Sequence, residues 1–104
     1  MTSTRDVILR TNDLAGAKAH YHGKLGFATV ADAERLVGFD TGGFILYFEL
    51  GEANGPVFDF EAENMDEMKQ LLLAQGCSVV EENAAVPRCY LRDPFGLVFN
   101  LAQR

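Results

Sequence analysis

Val7-Ile8-Leu9 reads as a short buried strand, and the polar pair Asn12-Asp13 ends it. From Leu14 to about Lys24, the residues Leu14, Ala17, Tyr21 and Leu25 recur at three- and four-residue spacing. That period gives one apolar helix face. Asn12 or Asp13 is a natural N-cap, and Gly26 a natural stop. Strands are predicted to begin at Phe27, Leu36 and Phe44, separated by a polar turn over 31–34 and by Gly42-Gly43. A linker over 51–55 ends at Pro56. Val57-Phe58-Asp59-Phe60-Glu61 then alternates strictly, as a half-buried strand does. Asn64 caps a helix predicted over 65–74, with Met65, Met68, Leu71 and Leu72 as its inner face and Gly76 as its stop. Strands are predicted near 77–80, 88–91 and 97–101.

The order β-α-β-β-β therefore occurs twice. Leu25-Gly26-Phe27-Ala28-Thr29-Val30 closes the first helix and opens a strand, and Gln75-Gly76-Cys77-Ser78-Val79-Val80 does the same 50 residues later. The predicted class is α+β: two tandem βαβββ modules forming a curved mixed sheet around a cleft, with the helices on the convex face. The modules fall at about 5–50 and 56–102, joined by the linker 51–55, in a single domain spanning 1–104.

Alternation divides each strand into two faces. Asp6, Ile8 and Arg10 share a side of the first strand. Ile45, Tyr47 and Glu49 share one of the fourth, Val57, Asp59 and Glu61 one of the fifth, and Val98 and Asn100 one of the eighth. The opposite sides carry Val7, Leu9, Phe44, Leu46, Phe48, Phe58, Phe60, Leu97, Phe99 and Leu101, large and apolar enough to pack under helices. The mixed polar side is thus the expected concave, ligand-facing one, with Asp6, Arg10, Tyr47, Glu49, Asp59 and Asn100 lining the cleft. Glu49, flanked by Phe48 and Leu50, reads either as a weak candidate general base or as a carboxylate paired with Arg10. Arg10 reads either as a clamp for an anion or as the partner of Glu49 or Asp59. Asp59 and Glu61 suit a cationic ligand or a half-solvated strand face. Tyr47 and Tyr90 suit ligand stacking or plain packing. His20 and His22 stand two apart on a helix and point in different directions, so they cannot chelate together.

The net charge of −6, with nine Lys and Arg scattered along the chain, excludes a basic stripe of the kind that binds nucleic acid. No apolar run reaches the roughly 20 residues of a membrane helix, and the first residues do not resemble a signal peptide. A cytoplasmic location is the expectation. Cys77 and Cys89 lie in apolar strand patterns without the short spacing of a zinc pair, so buried free thiols are expected. Exposed strand edges and the short linker predict a homodimer, with halves exchanged between chains as one route to it.

Three segments in this order, Leu9-Arg10-Thr11-Asn12-Asp13-Leu14, then Tyr21 to Leu25-Gly26-Phe27, then Asp93-Pro94-Phe95-Gly96-Leu97-Val98-Phe99, resemble the vicinal oxygen chelate superfamily. That superfamily includes glyoxalase I, ring-cleaving dioxygenases and bleomycin-resistance proteins, and the resemblance covers essentially the whole chain. It implies four metal-ligand positions, one in the first and one in the last strand of each half. Here these are taken to be Asp6, Glu49, Val57 and Asn100, with 51 residues between the members of each pair. The metal-dependent members carry His, Gln or Glu there. Val57 has no donor atom, Asn100 is a weak neutral donor, and Asp6 is one carbon shorter than Glu. Divalent transition metals want imidazole or several carboxylates, so no metal and no other cofactor is expected. The resemblance then implies a metal-free small-ligand-binding protein, similar to the bleomycin-resistance type that sequesters basic antibiotics. The alternative is a metal-dependent lyase or dioxygenase of the glyoxalase type with an altered site.

Overall fold

The computed structural model describes residues 1–104. The strands and helices come in the predicted order. They are β1 (Thr2–Thr11), α1 (Leu14–Lys18) with a π-helical continuation (Ala19–Lys24), β2 (Ala28–Ala33), β3 (Leu36–Asp40) and β4 (Ile45–Leu50), followed by β5 (Asn54–Ala62), α2 (Met65–Ala74), β6 (Ser78–Asn83), β7 (Arg88–Arg92) and β8 (Val98–Gln103). The chain is α+β and built of two βαβββ modules. It divides into two compact units, Arg5–Pro56 and Val57–Arg104, the second also holding Met1–Thr4.

In the first unit the strands run β2-β3-β4-β1, with β1 parallel to β4 and the other pairs antiparallel. In the second unit β5-β8-β7-β6 repeats that plan, with β5 parallel to β8. The edge strands β2 and β6 carry the same irregularity, between Thr29 and Ala31 and between Val79 and Glu81. Such bulges blunt an exposed edge.

Both predicted caps are present. Asp13 Oδ1 accepts from the Gly16 amide at 2.8 Å, and Asn64 Oδ1 from the Glu67 amide at 3.1 Å. Gly26 and Gly76 follow the two helices with φ of +77° and +100°, a conformation that L side chains rarely adopt. Each unit has its own core. In the first, Val37, Phe39, Leu46 and Phe48 pack with Leu14, Ala17, Tyr21 and Phe27. In the second, Ala62, Cys89, Leu91, Phe99 and Leu101 pack with Phe60, Met65, Met68 and Leu72.

Several boundaries and faces differ from the sequence expectation. β1 runs from Thr2 to Thr11 rather than over three residues, and the added positions include the β-branched Thr2, Thr4 and Thr11, which suit a strand. β2 continues through 31–33, so the turn is confined to 34–35. β5 starts at Asn54, which shortens the linker to 51–53. The first helix becomes π-helical at Ala19, and Leu25 N–H donates to His20 O at 3.0 Å. The wider turn goes with Tyr21 in the core, its ring 5.3–6.5 Å from Phe27, Phe39 and Phe48. Leu25, Phe44, Phe58, Leu71 and Leu97, expected on inner apolar faces, are exposed instead, Phe58 at 39% and Leu71 at 51%. Ten residues give α2 fewer than three turns, and among the apolar residues on its side of β5 the second core takes Phe60 rather than Phe58.

Candidate functional site

On the polar face of the first unit, the parallel pairing of β1 with β4 sets Asp6 beside Ile45, Ile8 beside Tyr47 and Arg10 beside Glu49. Register partners on adjacent strands point to the same side and stand about 5 Å apart. Arg10 and Glu49 are thus side by side, both half-buried, and the Arg10 stem runs past Gly51, where an added Cβ would meet its Cδ at 3.4 Å. Tyr47 lies over Gly38, its partner on β3, and a Cβ at Gly38 would stand 2.7 Å from the ring. Burial, and then the nearby Asp6 carboxylate, push the Tyr47 phenol above its ordinary pKa. Tyr47 is therefore a neutral hydroxyl at physiological pH.

The same face of the second unit holds a closed hydrogen-bond network. Asp59 and Asn100 are register partners. Asn100 Nδ2 donates to Asp59 Oδ1 at 2.9 Å, Thr4 Oγ1 donates to Asp59 Oδ2 at 2.8 Å, and the Cys89 amide donates to Asn100 Oδ1 at 3.0 Å. Both carboxylate oxygens and both ends of the amide have partners. Next to it, Tyr90 is buried, and the Arg88 guanidinium lies 5.2 Å from its ring centroid. Arg88 also donates to Glu81 Oε2 at 2.8 Å.

Thr4, Gly38, Glu81 and Arg88 escaped sequence reasoning. Glu81 lay beyond the predicted end of its strand, and Thr4 lay in a segment with no apolar pattern. Gly38 had a legible signal, since a glycine inside a strand marks a bulge or a close approach. His20 and His22 are exposed, and the ring nitrogen Nδ1 of His22 hydrogen-bonds Phe27 O at 2.8 Å.

Strand pairing also fixes which positions of the two halves are equivalent. Ile8–Tyr47–Gly38 in the first unit matches Asp59–Asn100–Tyr90 in the second. The residue equivalent to Asn100 is thus Tyr47, not Glu49, and Glu49 matches Ala102. A constant 51-residue offset fails because the turn over 84–87 is longer than the one over 34–35, and that over 93–97 longer than that over 41–44.

The donor chemistry of the four equivalent positions can now be judged residue by residue. Asp6 offers a carboxylate. Tyr47 offers a protonated phenol, Val57 is buried and has no donor, and the Asn100 carbonyl oxygen already accepts a backbone hydrogen bond. No three His, Cys, Asp or Glu side chains come together anywhere as a ligand group. These residues do not fit a divalent transition metal.

No family model matches the chain. No curated protein matches its sequence. Solved structures do match. A glyoxalase/bleomycin resistance protein/dioxygenase superfamily member from Vibrio splendidus 12B01 superposes with a TM-score of 0.71 at 16% identity, over 99% of this chain and 100% of its own. An extradiol ring-cleaving dioxygenase from B. fuscum superposes with a TM-score of 0.71 at 16% identity, over all of this chain. This chain has the vicinal oxygen chelate fold. It spans only 33% of the B. fuscum dioxygenase and 41% of an Mn(II)-bound glyoxalase from Novosphingobium aromaticivorans, which it matches with a TM-score of 0.65 at 21% identity. In its second unit this version of the vicinal oxygen chelate fold holds the strand face with the Thr4–Asp59–Asn100 network. No helix is long and apolar enough to cross a membrane.

Proposed function

We propose that this protein is a metal-free small-ligand-binding protein of the glyoxalase/bleomycin-resistance type. The observation that carries the reading is the placement of Arg10 beside Glu49, next to a neutral Tyr47, on one strand face whose neighbouring positions offer no metal ligand set. A cation, a carboxylate, a phenol and an apolar floor of Ile8 and Ile45 suit a small polar molecule bearing both donor and acceptor groups. The Asp59 carboxylate is read as structural, because Thr4 and Asn100 occupy it. The reading includes a cytoplasmic location, where the free thiols Cys77 and Cys89 stay reduced.

The test is a thermal-shift screen of small polar and cationic molecules with divalent metals chelated, since whatever binds only the native state raises its stability. A hit should lose its shift in Arg10→Ala and in Glu49→Ala, each still folded, and keep it in His22→Ala. A hit whose shift ignores both Arg10 and Glu49 defeats the reading.

A further inference from the structure

The charges on the polar face of the first unit have a definite spacing. Arg10 on β1 and Glu49 on β4 are register partners, so a cation and an anion stand side by side. Asp6 lies on the same side of β1, four residues before Arg10, which at roughly 3.3 Å per residue is about 13 Å away. β4 runs parallel to β1, and the Arg10 stem runs past Gly51, just beyond the paired stretch. The guanidinium is thus carried away from Asp6 rather than toward it. Between the two charges lies Ile8, half-buried. Its register partner Tyr47 leaves it uncovered, because the phenol ring lies over Gly38 on β3, on the other side of β4. The face therefore presents, in order, a carboxylate, an apolar midpoint flanked by a phenol, and an adjacent guanidinium and carboxylate. Two carboxylates against one guanidinium leave one negative charge in excess.

We propose that the ligand of this face is a basic α-amino acid of the lysine kind, with a second cation at the end of a four-carbon stem. The inference rests on the ligand-binding reading of the same face and narrows it to one chemical class. The head group of an α-amino acid is an anion and a cation on neighbouring atoms, which is the Arg10–Glu49 pair with its signs exchanged. Its carboxylate fits the guanidinium, whose fork takes a carboxylate through two parallel hydrogen bonds, and its ammonium fits Glu49. The stem then runs along β1 over Ile8, as such stems do over apolar surface. The distal cation reaches Asp6, beside the Tyr47 hydroxyl that burial and Asp6 keep protonated. An amino acid without a stem reaches only the Arg10–Glu49 end. A ligand with two cations and one anion also offsets the excess negative charge, whereas a plain carboxylic acid or a plain amine satisfies one end and leaves the other with none of its contacts.

The experiment is calorimetric titration of the full chain with L-lysine, with circular dichroism to show that each variant is folded. Two relatives of lysine dissect the contacts. Norleucine keeps the stem and head group without the distal amine, and cadaverine keeps both amines without the carboxylate. Lysine should bind saturably, and each of the other two should bind about tenfold more weakly or worse. Asp6→Asn should remove the preference for lysine over norleucine, and Arg10→Gln the preference for lysine over cadaverine. Lysine that does not bind saturably at millimolar concentration overturns the proposal, as does a preference that survives either change. The wider reading has a separate fate, since a different small molecule whose binding depends on Arg10 and Glu49 sustains it while this proposal falls.

Discussion

The ring of Tyr47 lies over the backbone of Gly38, its cross-strand partner, so closely that a single added carbon would stand 2.7 Å from it. In the other half the roles are exchanged. Tyr90 occupies the position of Gly38, and the small Asn100 occupies that of Tyr47. Each hairpin thus carries one aromatic ring on its polar face and one small partner beside it. Gly38→Ala is expected to destabilise the protein by about 1–3 kcal/mol, the usual cost of overpacking. Tyr47→Ala in the same chain should recover part of it. Urea unfolding of the two single variants and the double variant measures that coupling.

Asn100 holds a backbone amide with one end and a carboxylate with the other. Asn100→Leu should cost about 2–4 kcal/mol, since it removes two hydrogen bonds and leaves the partly buried Asp59 short of a donor. Thr4→Val, which removes only the other donor to Asp59, should cost about 1 kcal/mol. Equal losses in the two variants would argue against the network as described.

Tyr47 also makes an alkaline prediction. Its folded pKa lies above the unfolded value of about 10. Below that value the phenol is protonated in both states and stability is unaffected. As pH rises past it, the unfolded chain ionises first, so stability falls until the folded pKa is reached. Tyr47→Phe should therefore lose less stability than the wild type above pH 10. Denaturant midpoints across the alkaline range check this.

The two phenylalanines Phe39 and Phe58 separate the observed core from the one expected on alternation alone. Phe39 is fully buried and Phe58 is 39% exposed. Phe39→Ala should cost about 3–5 kcal/mol. Phe58→Ala should cost about 1 kcal/mol, as partly exposed positions do.

Much of this architecture was readable from residue order. The periodicity of Leu14, Ala17 and Tyr21, the caps Asp13 and Asn64, and the stops Gly26 and Gly76 each act locally, so the chain declares them. What was not readable depends on distances between segments. A fixed 51-residue offset pointed to Glu49, while unequal turns make Tyr47 the equivalent of Asn100. The bonds from Thr4 to Asp59 and from Arg88 to Glu81 join residues that only strand pairing brings together. Phe58 and Phe60 share one side of their strand, yet only Phe60 packs against the core, a difference that alternation cannot report.

The central proposal is that this chain, which has the vicinal oxygen chelate fold, works without a metal centre. Its most direct test is elemental analysis of the purified protein, followed by calorimetric titration with manganese, nickel and zinc. The account predicts far less than one equivalent of metal on isolation and no saturable binding that depends on Asp6 or Asn100. About one metal per chain, lost in Asp6→Ala, would contradict it.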